Sequence, residues 1–507
     1  MKQKQQPLAI TPGKGLGFLL LGASLRDIVV RLKAQSDVFP RLKIQHSATR
    51  PATEPINVLL PDNGLRLRFD GPDQRLRLVE VLDLSRIPLT YKGQDLVKLQ
   101  DDTINEGPSF RHVYSKLFGP TFEGEYFTSP QGSSSLYILS YPGIAFSFKV
   151  PSWSEGSDFV SVLSSPQTSP AQALSIFSGS SWKEARTTLY TRPCPHPRSL
   201  ALVGRTKELI PDEIELAVIK GKGHVEFRRR TLPPFSLRLG ETTPQDLIVM
   251  LGPPDTIYRK NDRRLSIHKN KAIQHDSHDL ASSPDTLGGI SDTDRSSIST
   301  ITDYSNGEDE ALDSSDPAAV ECFYNYFSHG FDIFISYPHI RSPPLVPSDS
   351  DSEEDIILPN TTYLVATKIL LHANIPSSHS FNRHRRSRWI IDSAQFQPAT
   401  YSSLTSETPF REIQFTLNEI WQETFSNDRD SRMTQRYMVL SRGWGDSPGS
   451  SIELLGGWES ADSVIVEAGN RSGGEIQPSL GNTELYGWPG LLFEVLKNDT
   501  VSCVTIY

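Results

Sequence analysis

Strict alternation of apolar and other residues recurs at four places in the chain, each time directly after a glycine: Gly64-LRLRF, Gly143-IAFSF, Gly330-FDIFI and Gly490-LLFEV. The first, third and fifth residues after each glycine are apolar (Leu65, Leu67, Phe69; Ile144, Phe146, Phe148; Phe331, Ile333, Ile335; Leu491, Phe493, Val495). A period of two predicts a strand with one face in a core. The opposite face carries Arg66, Arg68, Ser147, Lys149, Asp332 and Glu494, which suits an antiparallel sheet covered on one side.

Upstream of these strands the period changes. Leu25, Ile28, Val29 and Leu32 form a helical stripe, as do Phe110, Val113, Tyr114, Leu117 and Phe118, and again Leu247, Met250 and Leu251. The last two stripes end in LeuPheGlyPro (117–120) and LeuGlyProPro (251–254), and LeuLeuGlyGly (454–457) stands upstream of Gly490. Glycine then proline after the last apolar residue is a helix stop. Ser24 and Thr243 are placed to cap their helices, with Pro244 at the first helical position. A second strand follows the glycine strand at 75–83, 366–374 and 501–507. The chain therefore reads as α+β, built of repeated helix-plus-antiparallel-strand units over 1–98, 99–181, 182–396 and 397–507. The second ends in a Ser-rich connection, 151–181, and the third carries insertions at 269–319 and 343–358. In outline such a unit resembles small lipoprotein-like domains of the BamE type, a likeness of fold that carries no function.

Composition modifies this picture in one respect. Hydrophobic residues are 37% of 507, and the formal charge is −9, but residues 276–316 alone hold eleven acidic side chains and one basic one, Arg295. Such a stretch buries too little apolar surface to offset its ordering entropy and reads as a solvated loop. With it and the acidic run at 349–355 set aside, 50 basic residues face 44 acidic ones, too even a balance for a general nucleic-acid binder. Three cysteines, Cys194, Cys322 and Cys503, are too few for a disulfide framework, so a reducing compartment is expected. The apolar run at 16–21 is shorter than a signal-peptide core, and the Gly-rich 13–17 reads as a flexible leader. A cytoplasmic protein is expected.

The search for chemistry returns little. His275 and His278 are three apart but have no second pair, so no metal site is assigned. Gly13-Lys14-Gly15 lacks the ending of a phosphate loop. No G-x-S-x-G elbow occurs, and Cys194 with His196 sits between prolines, away from any helix N-terminus that would activate a thiol. No catalytic, cofactor-binding or metal-binding residue is named. Two basic groups remain, Arg228-Arg229-Arg230 and the set Arg383, His384, Arg385, Arg386 and Arg388. The second is dense enough to contact an anionic surface, or to pair with the two acidic insertions of the same chain.

The stretches GLRLRFDGPDQRLRLVEVLDLSRIPLTYKG (64–93), YPGIAFSFKVPSWSE (141–155), MLGPPDTIYRKNDRRLSIH (250–268), ECFYNYFSHGFDIFI (321–335), LHANIPSSHSFNRH (371–384) and LLFEVLKNDTVSCVTIY (491–507) resemble the phagosome assembly factor 1 family. They follow the family's order along nearly the whole chain; the acidic insertions and 397–450 depart from it. The resemblance implies a non-enzymatic autophagy adaptor with no cofactor, small-molecule substrate or nucleic-acid partner. It implies a β-propeller partner resembling breast carcinoma amplified sequence 3, and recruitment with it, and mainly through it, to the phagophore assembly site on starvation. A Golgi or endosomal trafficking factor is the alternative within the adaptor class, and an enzyme with an unrecognised site the alternative outside it.

Overall fold

The computed structural model describes residues 6–97, 107–128, 135–150, 158–195, 212–259, 321–338, 363–392, 403–421, 438–440, 464–469 and 483–507. The predicted insertions, His196, His275, His278 and the 454–457 run lie outside these residues.

The chain is α+β, with most strands antiparallel. Its largest sheet has nine strands. Leu42–Ser47, Ile56–Leu60, Leu65–Phe69 and Leu76–Val81 form one meander, and Glu125–Thr128, Ser135–Tyr141, Ile144–Val150 and Ala171–Phe177 form a second. Their last strands pair antiparallel, Leu174 opposite Val81. The ninth strand, Val464–Gly469, adds in parallel to Leu42–Ser47. An eight-stranded sheet repeats the layout. Thr256–Arg259, Cys322–Tyr326, Phe331–Ser336 and Val365–His372 meander, Met438–Leu440, Thr483–Trp488, Leu491–Leu496 and Val501–Ile506 meander, and the last strands of the two again pair.

A helical segment precedes each meander: Leu25–Lys33, the wide-turned His112–Leu117, Pro244–Leu251 and Phe410–Trp421. The predicted caps form. Ser24 Oγ accepts from the Asp27 amide, and Thr243 and Asp246 make a reciprocal capping box behind Pro244. In all four meanders the third strand starts immediately after one of Gly64, Gly143, Gly330 and Gly490, whose φ values are 65°, 78°, 93° and 79°. In all four the register shifts between the fourth and fifth residues after that glycine: Arg68/Phe69, Ser147/Phe148, Phe334/Ile335 and Glu494/Val495. The twelve alternating apolar residues are buried. Those of the first two meanders join one core and those of the last two a second, so the molecule has two halves.

Three expectations need correction. The Ser-rich 151–181 is not only a connection, because Ala171–Phe177 is the strand that joins the two meanders; Leu174 and Ile176 supply its core face beneath a serine-rich composition. The glycine-rich leader is ordered in a five-stranded sheet in which Leu8–Thr11 pairs in parallel with Leu89–Tyr91, and Leu16 and Leu19 are fully buried. The helix of the fourth meander is Phe410–Trp421, within the divergent stretch, with Phe410, Ile413 and Leu417 inward.

Candidate functional site: a buried charged seam between the halves

The basic group at 383–388 does not face solvent. It lies on the loop 373–388, which leaves strand Val365–His372, crosses Gly330 and enters strand Trp389–Ile391 of a second five-stranded sheet. The crossing is tight: a Cβ on Gly330 would stand 2.4 Å from the Arg385 carbonyl oxygen. The loop is tied down by Arg385 N to Phe327 O (2.8 Å), Ser387 N to His372 O (2.8 Å) and Ala373 N to Ser502 O (2.9 Å). His384, Arg385 and Arg386 are buried, while Arg383 and Arg388 are half-buried.

The side chains of Arg385, Arg386 and Arg388 find partners within the chain. Arg385 donates to Asp27 Oδ2 at 2.6 Å and to Glu213 Oε1 at 3.1 Å, and Arg75 reaches the same Glu213 oxygen at 3.3 Å. Arg386 donates to the carbonyls of Pro72 (2.7 Å) and Ala373 (2.9 Å), with Glu407 at 3.4 Å. Arg388 bridges Asp73 (2.9 Å) and Glu407 (3.0 Å). The Arg383 carbonyl accepts from Arg26 Nε at 3.1 Å. For His384, Arg385 and Arg386, which are buried, internal contacts take the place of the expected anionic-surface contact. The partner acids come from segments up to 358 residues away, so nothing in the neighbourhood of 383–388 could show them. Arg228 does remain well exposed, beside Glu226.

Burial alone would raise the Asp27 carboxyl, but Arg385 and Arg26 hold it at about 2. Burial would lower Arg385; Asp27 and Glu213 reverse this and raise it. Arg386 goes the other way, because burial outweighs Glu407.

Beside the arginines, Asp332 accepts from His372 Nε2 on one oxygen (2.9 Å) and from His384 Nε2 on the other (2.8 Å). The two rings stack, with centroids 3.8 Å apart and planes at 16°. Burial would raise Asp332, but the two imidazoles hold it well below the usual carboxylate range. For His372, burial is outweighed by Cys503 and Asp332, which raise it to about 10; His384 is pushed down to about 3 by burial and by His372 beside it. The neutral-pH state is thus an imidazolium, a carboxylate and a neutral imidazole. The residue types are metal ligands, yet an ion must lie near both ring planes along both nitrogen lone pairs. Rings stacked 3.8 Å apart and nearly parallel offer no such point, so the cluster is a hydrogen-bonded clamp on the loop. Asp332, His372, Asp27, Glu213 and Glu407 escaped the sequence reading; the available signal was a polar residue at an outward position of an apolar strand, as in Phe331-Asp332-Ile333.

The cysteine candidate is also inert. Burial raises the Cys194 thiol to about 11, so it is protonated at neutral pH. No helix among the described residues is long and apolar enough to cross a membrane.

The phagosome assembly factor 1 family profile matches residues 15–283 and 355–507. The chain belongs to the phagosome assembly factor 1 family. A PHAF1 protein of Arabidopsis thaliana is 22% identical over 98% of this chain and 92% of its own length. One of Drosophila melanogaster is 23% identical over 99% and 94%, and one of Caenorhabditis elegans is 27% identical over 25% and 28%. No solved structure matches. Both acids of the Arg385 network, Asp27 and Glu213, fall inside the family match, as does the whole 373–388 loop.

Proposed function

We propose that this protein is a non-enzymatic autophagy adaptor, assembled from four copies of one helix-plus-meander unit with a BamE-like outline, that binds a β-propeller partner and travels with it to the phagophore assembly site. Family membership over most of the chain carries the reading. The chemistry of the seam supports it, since its titratable groups are hydrogen-bonded to one another. The recurring glycine and register shift support the four-unit reading. With Arg385 and Arg386 buried, membrane recruitment rests on the partner.

Fluorescently tagged protein followed through starvation, with and without the propeller gene, tests this. Puncta that need the partner are expected; puncta that persist unchanged without it would overturn the adaptor reading.

A further inference from the structure

His384 is held by one of its two ring nitrogens. Nε2 donates to Asp332, while Nδ1 is buried and has no hydrogen-bond partner among the described residues. A second proton must go onto Nδ1, where it would make a buried cationic N–H without an acceptor, the costly case for a polar group. The charges around the ring resist that proton as well. Asp332 faces it from strand Phe331–Ser336, His372 from strand Val365–His372 with Cys503 behind, and Arg383 from the loop itself. From the turn before Gly330 the ring meets Phe327, and Arg26 of the helix Leu25–Lys33 lies over the same phenyl ring. One carboxylate would then serve two imidazolium rings stacked 3.8 Å apart, with two guanidinium groups close by.

The 373–388 loop that carries His384 is attached unequally to the two halves. Phe381 belongs to the apolar core of the N-terminal half, and no side chain of the loop belongs to the core of the C-terminal half. Ala373 and Ile375 join a small separate patch with Ala52 and Leu496. Ser377 Oγ meets His46 Nε2 of the N-terminal half at 2.9 Å. The loop is therefore held to the C-terminal sheet by polar contacts, with the His384–Asp332 bond at their centre. Its backbone is also bent against preference. Asn374, Ser377 and Asn382 have φ of 51°, 66° and 62°, left-handed conformations that a residue other than glycine keeps only where its surroundings impose them.

We propose that the 373–388 loop is an acid-released latch, in which a proton on His384 parts the loop from the C-terminal sheet while both cores stay folded. Once off Asp332, the ring meets water at both nitrogens and the conflict of two adjacent cations ends. Phe381 keeps the loop with the N-terminal half, so the contacts that are lost are those to the C-terminal sheet. A proton taken up only in the released state raises the opening constant by about tenfold for each pH unit well below 6.5. The latch is a property of the fold and does not depend on what the protein binds.

Amide hydrogen exchange of the full chain between pH 7 and pH 5, with each rate divided by that of an unstructured chain at the same pH, tests this. Protection across 374–388 is expected to fall by at least about tenfold from pH 6.5 to pH 5, while strands Leu65–Phe69 and Leu491–Leu496 keep theirs. His384→Gln and His384→Asn, whose amides offer an N–H to Asp332 but take up no proton, should hold the protection of the loop level over the same interval. His46→Gln and His329→Gln, at the other buried imidazoles near the loop, should leave the fall intact. A loop that stays protected at pH 5 overturns the inference. Loss spread evenly over the loop and both cores is ordinary acid unfolding and overturns it too. So does a fall that persists in the His384 variants. A fall lost in the His46 or the His329 variant places the trigger there and overturns the assignment to His384, an arm that needs no substitution at 384.

Discussion

Gln74 and Asn374, 300 residues apart, exchange hydrogen bonds across the seam: Gln74 Nε2 donates to the Asn374 carbonyl and Asn374 Nδ2 donates to Gln74 Oε1, both at 2.8 Å. Both residues are buried and both have left-handed backbones, with φ of 49° and 51°. Asn374 Oδ1 also accepts from the Asn382 amide at 2.6 Å, so the pair fixes the 373–388 loop as well as the two halves.

Gln74→Leu should therefore cost about 1–3 kcal/mol, because it leaves buried partners unsatisfied. Combined with Asn374→Ala, the loss should fall short of the sum by about 1 kcal/mol or more. Urea denaturation of the four proteins in the cycle measures this, and strict additivity would show that the exchange contributes nothing.

Arg385 pairs with both Asp27 and Glu213. Replacing it with Met takes the nearest cation from buried Asp27, which keeps Arg26, and one cation from half-buried Glu213, which keeps Arg75, and should destabilise by about 1.5–3 kcal/mol. Asp27→Asn on top of Arg385→Met should recover part of that loss, since the buried charge left with weaker pairing is gone. A double variant no more stable than Arg385→Met would contradict the pairing.

The clamp sets a pH window. His384, depressed to about 3, refuses a proton that the unfolded chain takes up near 6.5, so its stabilising contribution is present above 6.5 and lost as pH falls towards 3. His372, raised to about 10, contributes fully below 6.5 and loses its contribution as pH rises through 10. Asp27 adds a steeper acid loss between 3.8 and about 2. Melting temperature should peak near pH 6.5. His384→Asn, which keeps a donor for Asp332, should flatten the limb between 6.5 and 4, and an unaltered limb would rule His384 out as its source.

Two glycines with similar φ should respond differently to alanine. Both Gly330→Ala and Gly490→Ala cost about 1 kcal/mol for the left-handed backbone. A Cβ at Gly490 meets nothing nearer than 3.5 Å, but at Gly330 it meets the Arg385 carbonyl. Gly330→Ala should be the more damaging by a clear margin in thermal melts and should loosen the 373–388 loop; equal effects would argue against the tight crossing.

The strands and most helices were legible because each depends on local periodicity. Leu65, Phe146, Ile333 and Phe493 announce their core face within five residues, and Ser24 and Thr243 announce their helices within three. Ala171–Phe177 was hidden because its inward residues Ala171 and Leu174 stand three apart and break the period of two within a serine-rich stretch, and Gly15–Leu16 because a two-residue strand is defined by its partners. The seam was illegible for a deeper reason. The sign and density of charge at 383–388 were visible, but whether a cation meets solvent or a carboxylate depends on which distant segments the two sheets bring together. Asp27, Glu213 and Glu407 carry no local mark of that meeting.

The strand Val464–Gly469 belongs to the sheet of the N-terminal half but is made late. Once the ribosome has delivered Leu42–Ser47, the edge that this strand will occupy stays open until residue 469 emerges, an interval on the order of tens of seconds at about 5–20 residues per second. Through that interval the nascent chain presents Leu42 and Ile44 without their neighbour, so the half that is synthesised first is finished last. A chain cut short before residue 464 should carry that open edge permanently and self-associate through it.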